Sequence, residues 1–189
     1  MEPISVLQQA VDQTGGIVSG VKTDQLGDST PCTEWDVRTL LNHTIGAVGM
    51  FDDAARGRPF DPSRFEQDNV GDDPASSYEA AAVKLREALQ RPGLMDAMWN
   101  MPFGTVPGMI AVGFATLELA QHGWDVAKAT GQSPQFDSEV TQTALTVARM
   151  APAEQVRQPG VFGPEQQCPS GAAEADQLAA FMGRQLITG

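Results

Sequence analysis

The sequence predicts an all-α protein: an antiparallel four-helix bundle with extra C-terminal helices and at most a small extended segment. Two observations carry this. Apolar residues recur at helical spacing over four long stretches, each bounded by capping residues or by proline and glycine. Strand-like patterns are scarce, so helix-on-helix packing is the simplest way to bury the apolar faces.

The first helix is expected over Pro3 to Ser19, with Ile4, Leu7, Val11 and Val18 on one face and Gly15-Gly16 weakening its last turn. A second opens at Thr33, a good N-cap with Asp36 three residues on in a capping-box-like arrangement. It runs to Ala55 with Val37, Leu41, Thr44, Val48 and Phe51 on a stripe. The third starts at Ser76 and stops before Pro92-Gly93, its apolar positions being Tyr78, Ala81, Ala82, Leu85 and Leu89. The fourth begins near Pro107 and ends before Gly131. Two more helical stretches follow, near Asp137 to Met150 and Ala173 to Met182. Polar loops fill Arg56 to Ala75 and Pro152 to Gly171, and Leu94 to Gly104 reads as either extended or a small hairpin. Together these make a single domain over residues 1–189, with a bundle core about 3–131 and a C-terminal extension about 132–189.

Composition narrows the function classes. The net charge is -12, from 24 acidic against 12 basic residues, a surface that repels phosphate backbones and anionic lipids. No nucleic-acid or membrane partner is therefore expected. Met1 to Ser5 lacks the basic start and apolar run of a secretion signal, and the uncharged run Met101 to Leu117 is broken by proline and glycine before it meets Glu118. A cytoplasmic protein, monomer or homodimer, is the expectation. Cys32 and Cys168 form no CxxC pair and are read as reduced thiols.

The fourth helix carries the chemistry. At about 100° per residue, Ala111, Ala115, Glu118, His122, Asp125 and Ala129 share one face. Apolar residues flank them on both sides, Ile110, Phe114, Leu117 and Trp124 on one and Val112, Leu119 and Val126 on the other. A helix of that kind is largely buried. A buried carboxylate needs a cation, a metal or a proton, and no lysine or arginine lies within nine residues of Glu118. His122, one turn on, can aim at the same ion. The pair alone is equally compatible with a hydrogen-bonded core contact. His43 shifts the balance: it sits at the edge of the second helix's apolar stripe, beside Leu40, Ala47 and Met50, and it is the only other histidine.

The segments Thr30-Pro31-Cys32-Thr33-Glu34-Trp35-Asp36-Val37-Arg38, Leu40-Leu41-Asn42-His43 and Glu118-x-x-x-His122-Gly123-Trp124-Asp125 resemble an actinobacterial group of metal-binding proteins. So do Ala127, Ala129-Thr130-Gly131, Phe162-Gly163-Pro164-Glu165 and Asp176-Gln177-Leu178-Ala179-Ala180-Phe181. That group lies in the DinB-like bundle superfamily and is similar to the N-terminal domain of mycothiol-dependent maleylpyruvate isomerase. The resemblance implies a DinB-like bundle in which His43, Glu118 and His122 are the metal ligands and Asp125 is a supporting carboxylate behind them. It also implies mycothiol as a co-substrate. The isomerase's additional C-terminal domain cannot be carried in full by a chain of this length.

Three protein ligands leave coordination positions open, as in catalytic sites. Two imidazoles and a carboxylate suit Zn2+, with Ni2+, Fe2+ and Mn2+ as further candidates. Three functions follow as expectations. One is a metal-dependent enzyme that activates a low-molecular-weight thiol for transfer to, or isomerisation of, a small electrophilic substrate. The others are a hydrolase in which the same metal activates water, and a non-catalytic metal- or ligand-binding module. Cys32 is read as a packed residue and Trp35 as an anchor for the start of the second helix.

Overall fold

The computed structural model describes residues 2–150, 157 and 163–186. Six α-helices and one hairpin are defined among them: α1 (Pro3–Ser19), α2 (Val37–Ala55), α3 (Pro74–Ala88), β1 (Met98–Met101), β2 (Gly104–Pro107), α4 (Gly108–Ala129), α5 (Ser138–Met150) and α6 (Glu174–Phe181). Much of the expected loop from Pro152 to Gly171 lies outside the described residues, as does Phe162 of the tail motif.

Four helices close a ring in which α1 packs on α4, α4 on α2, α2 on α3 and α3 on α1. The stripes expected from periodicity form the core: Leu7, Val11 and Val18 of α1, Val37, Leu41, Val48 and Phe51 of α2, and Tyr78, Ala82 and Leu85 of α3 are buried. Tyr78 also donates its hydroxyl to the Val11 carbonyl at 2.9 Å, which ties α3 to α1. Between α1 and α4 the approach is closer still. A Cβ on Gly123 would stand 2.7 Å from Phe136 and 3.0 Å from the Thr14 hydroxyl, which itself donates to the Leu119 carbonyl. α5 packs on α4 and α1, and α6 packs on α5 and α4, where Trp124 donates to Asp176 at 2.8 Å.

Two helix starts differ from expectation. α2 begins at Val37, because Asp36 is itself the N-cap and accepts the Thr39 amide at 2.8 Å. Thr33 belongs instead to a turn bound by Thr30, whose hydroxyl bonds the carbonyls of Cys32 and Trp35 and accepts the Cys32 amide. α3 starts two residues before Ser76, at Pro74, with Asp73 accepting the amides of Ala75 and Ser76. The ambiguous segment before α4 is a hairpin, with Met98 paired to Pro107 and Met101 to Gly104. No helix among the described residues is long and apolar enough to cross a membrane.

Candidate metal centre

His43 on α2 and Glu118 and His122 on α4 meet where those two helices pack. The Nε2 of His43 donates to the Glu118 Oε1 at 2.6 Å, and the Nε2 of His122 stands 3.3 Å from the same oxygen. All three ligand atoms lie within 4.8 Å of one another. In a tetrahedral centre with bonds of about 2.0–2.1 Å, ligand atoms stand about 3.3 Å apart, so small rotamer adjustments bring this set onto one ion. The side chains of His43 and Glu118 remain 29% and 30% exposed, which leaves the centre open to solvent on one side.

Around the imidazoles is an aromatic wall. Trp35 lies with its ring 4.8 Å from that of His43 and 5.9 Å from that of His122, and Phe65 stacks on His43 at 5.2 Å. Two local devices place these rings. The Thr30-centred turn holds Trp35 ahead of α2. Asn42, the neighbour of His43, accepts the Asn69 amide at 2.6 Å, and Asn69 in turn donates to the Arg64 carbonyl, which fixes the loop that carries Phe65.

Behind His122 the surroundings are closed. Its Nδ1 lies 3.2 Å from Asp125 Oδ2, and since a carboxylate only accepts, Nδ1 carries the proton of that bond. Asp125 is fully buried and saturated. Arg184 grips it through Nε to Oδ1 at 2.8 Å and Nη2 to Oδ2 at 2.9 Å, Gln121 donates at 3.2 Å, and the Cys32 thiol donates at 3.2 Å. Arg184 also approaches the Cys32 sulfur at 3.0 Å. Cys32, His122 and Asp125 are a second group whose ligand atoms lie within 4.8 Å, sharing His122 with the first.

Electrostatics follow this division. Burial opposes ionisation of Glu118, but His122 and then His43 outweigh it and hold the carboxyl well below the usual range. Burial likewise opposes charge on His122, yet Glu118, Asp125 and Cys32 around it hold its pKa well above the ordinary value. For Asp125, burial is overcome by the bonds from His122 and Arg184, and its pKa is lowered.

The structure thus brings His43, Glu118 and His122 together and seats Asp125 directly behind His122. Sequence reasoning missed Arg184, which lies 59 residues from Asp125 on a segment with no local motif. After α6, Gly183 adopts φ +91°, a conformation glycine favours, and a Cβ there would stand 2.5 Å from Gly163. That turn delivers Arg184 to the bundle. Trp35 and Cys32 were noticed but not placed at the centre. The regular Thr-Pro-Cys-Thr-Glu-Trp turn was the one available signal.

The helical bundle has the DinB-like fold of the solved structures it resembles. More narrowly, the chain belongs to the mycothiol maleylpyruvate isomerase N-terminal domain family, whose model matches residues 7–127. It is 37% identical over 188 residues to uncharacterized proteins from two strains of Mycobacterium tuberculosis, covering 97% of this chain and 98% of theirs. Among solved structures it resembles the mycothiol-dependent maleylpyruvate isomerase, with a TM-score of 0.58 and 13% identity. A histidine mutant of that enzyme gives the same TM-score at 14% identity. The similarity covers 75% of this chain but only 66% of the isomerase chain, less than two thirds of it.

Proposed function

We propose that this protein is a metal-dependent enzyme that activates a low-molecular-weight thiol, mycothiol, for transfer to or isomerisation of a small electrophilic substrate. His43, Glu118 and His122 are the metal ligands in this reading, and Zn2+ is the first candidate. The observation that carries it is the convergence of two imidazole nitrogens on one carboxylate oxygen at the solvent-open side of a bundle. Membership of the isomerase-domain family supports mycothiol as the thiol, because the neighbouring enzyme is named for its dependence on it. We read the chain as one domain, with the C-terminal extension supplying Arg184 to the bundle.

The donor set fits such an ion. Two nitrogens and one oxygen are ligands for a borderline metal, and Asp125 on the Nδ1 of His122 leaves Nε2 as the nitrogen that would face an ion shared with Glu118. When bound, the metal supplies Lewis acidity that makes a thiolate available near neutral pH. Trp35 and Phe65 fix the imidazole planes and exclude water from one flank of the centre.

Elemental analysis of the purified protein beside His43→Ala and His122→Ala tests the metal. About one ion per chain in the wild type, lost in both variants with the circular dichroism unchanged, is the expected result. A wild type that stays empty after Zn2+, Ni2+ or Fe2+ is supplied overturns it. Turnover of electrophiles that requires mycothiol supports the thiol reading, whereas turnover without any thiol makes the protein a hydrolase. Tight metal binding with no turnover on any thiol and electrophile pair makes it a binding module.

A further inference from the structure

From Ala111 to Ala127 every residue of α4 is buried except Phe114, Glu118 and His122. These three are spaced at four-residue intervals, and the exposed Ile110 extends the same row by one turn. Residues four apart on a helix stack one above another, with about 5–6 Å between their Cβ atoms. The open face of α4 is therefore a single line that starts apolar and ends in the candidate metal centre.

The hairpin enlarges the apolar end. Phe103 sits in the turn between β1 and β2, 56% exposed, with its ring 4.7 Å from that of Phe114. Met109, 60% exposed, flanks Ile110. Phe103 and Ile110 are thus exposed beside a half-buried Phe114 on a strongly acidic protein, and contiguous apolar surface of this kind marks binding sites. At about 1.5 Å of rise per residue, the row from Ile110 to His122 is about 18 Å long.

The stretch itself is poor in positive charge. No lysine or arginine occurs between Arg91 and Lys128, while Asp96, Glu118 and Asp125 lie within that stretch. Neither the hairpin nor α4 up to Ala127 carries a lysine or arginine, and Arg58 touches the hairpin through its carbonyl, which accepts from Asn100 of β1.

We infer that Ile110 and Phe114, with Phe103 over them, bind the apolar portion of the electrophilic substrate and lead its reactive end along the row to the metal centre at Glu118 and His122. This rests on the metal-centre reading above. The substrate class it names is an electrophile with an aliphatic or aromatic segment.

The test uses a neutral fluorescent probe, N-phenyl-1-naphthylamine, titrated into the wild type, Phe114→Ser and Phe103→Ser. Binding by the wild type, weakened at least tenfold in Phe114→Ser and severalfold in Phe103→Ser, with metal content unchanged, is expected. Mn2+ bound in place of Zn2+ should broaden the probe's proton resonances, which places the probe beside the metal. Equal binding by all three proteins, or no broadening in Mn2+-loaded protein, overturns the inference. So does a wild-type dimer in sedimentation that Phe103→Ser dissociates, because the patch is then a contact between two copies. A protein that takes up no metal yet binds the probe through Phe114 overturns the metal reading and leaves the apolar site standing. A metal-loaded protein indifferent to Phe114→Ser overturns only the present inference.

Discussion

The two nitrogens of His122 face different environments. On the Nε2 side are Glu118 and His43, both about 30% exposed, with one carboxylate oxygen serving two imidazoles. On the Nδ1 side is Asp125, fully buried and holding Gln121 of its own helix and Cys32 and Arg184 from two other segments. A buried cluster in which one carboxylate holds this many donors contributes rigidity. A half-buried cluster that reaches the surface keeps one side open to a ligand. The difference teaches that one histidine joins a structural half to a functional half, and that the two halves should fail in different ways when mutated.

The largest effect should come from Asp125→Ala. It leaves the Arg184 guanidinium, only 13% exposed, without a counter-charge. Stripping one partner from a buried pair costs about 3–5 kcal/mol, so urea unfolding should show a loss of that order. Glu118→Ala removes a half-buried carboxylate that two imidazoles share, so the metal-free protein should lose less stability than Asp125→Ala does, while losing its metal. Comparable stability losses from the two substitutions would break the division between the halves.

Next in size is the effect across the ring. Asp125→Asn keeps an acceptor for the His122 Nδ1 proton but removes the charge behind it. Loss of such support weakens metal affinity by about 10–100-fold. Competition with a zinc chelator should show a fall in that range for Asp125→Asn. Arg184→Lys, which replaces a two-pronged grip by a point charge, should give a smaller fall in the same direction. An affinity unchanged in both would mean that the Nδ1 side does not act through His122.

What the sequence made legible tracks the range of the interactions. Glu118 and His122 are one helical turn apart, so periodicity alone put them on one face, but the apolar flanks pointed to an enclosed face where the structure leaves Glu118 30% exposed. The helix limits were legible to within a few residues because prolines, glycines and capping side chains act locally. Asp36 illustrates the residual error: whether it or Thr33 caps α2 depends on the Thr30 hydroxyl, which folds the intervening residues into a turn. Arg184 was out of reach for a stronger reason. Its pairing with Asp125 spans 59 residues and depends on a left-handed Gly183 and on how α6 packs against α4, neither of which leaves a periodic trace. Trp35 was read as a helix anchor because its position before α2 is local, whereas its contact with both imidazoles is tertiary.

The smallest expected effect belongs to Cys32→Ser, and it discriminates most finely between the two sides of the ring. The Cys32 sulfur lies close to Asp125 and Arg184, and with His122 and Asp125 it forms the alternative group of ligand atoms. Arg184 argues against a cation there, since its guanidinium already supplies the positive charge that Asp125 needs. A serine hydroxyl can keep both contacts, so stability should change by about 1 kcal/mol or less and metal content should stay at the wild-type value. Substituting Co2+ gives the sharper reading. A metal held by His43, Glu118 and His122 has no sulfur ligand, so the wild type and Cys32→Ser should share one ligand-field spectrum with no thiolate charge-transfer band. If the wild type shows that band and Cys32→Ser abolishes it, the ion sits on the Nδ1 side, Arg184 has moved aside to admit it, and the two halves of the centre have exchanged roles.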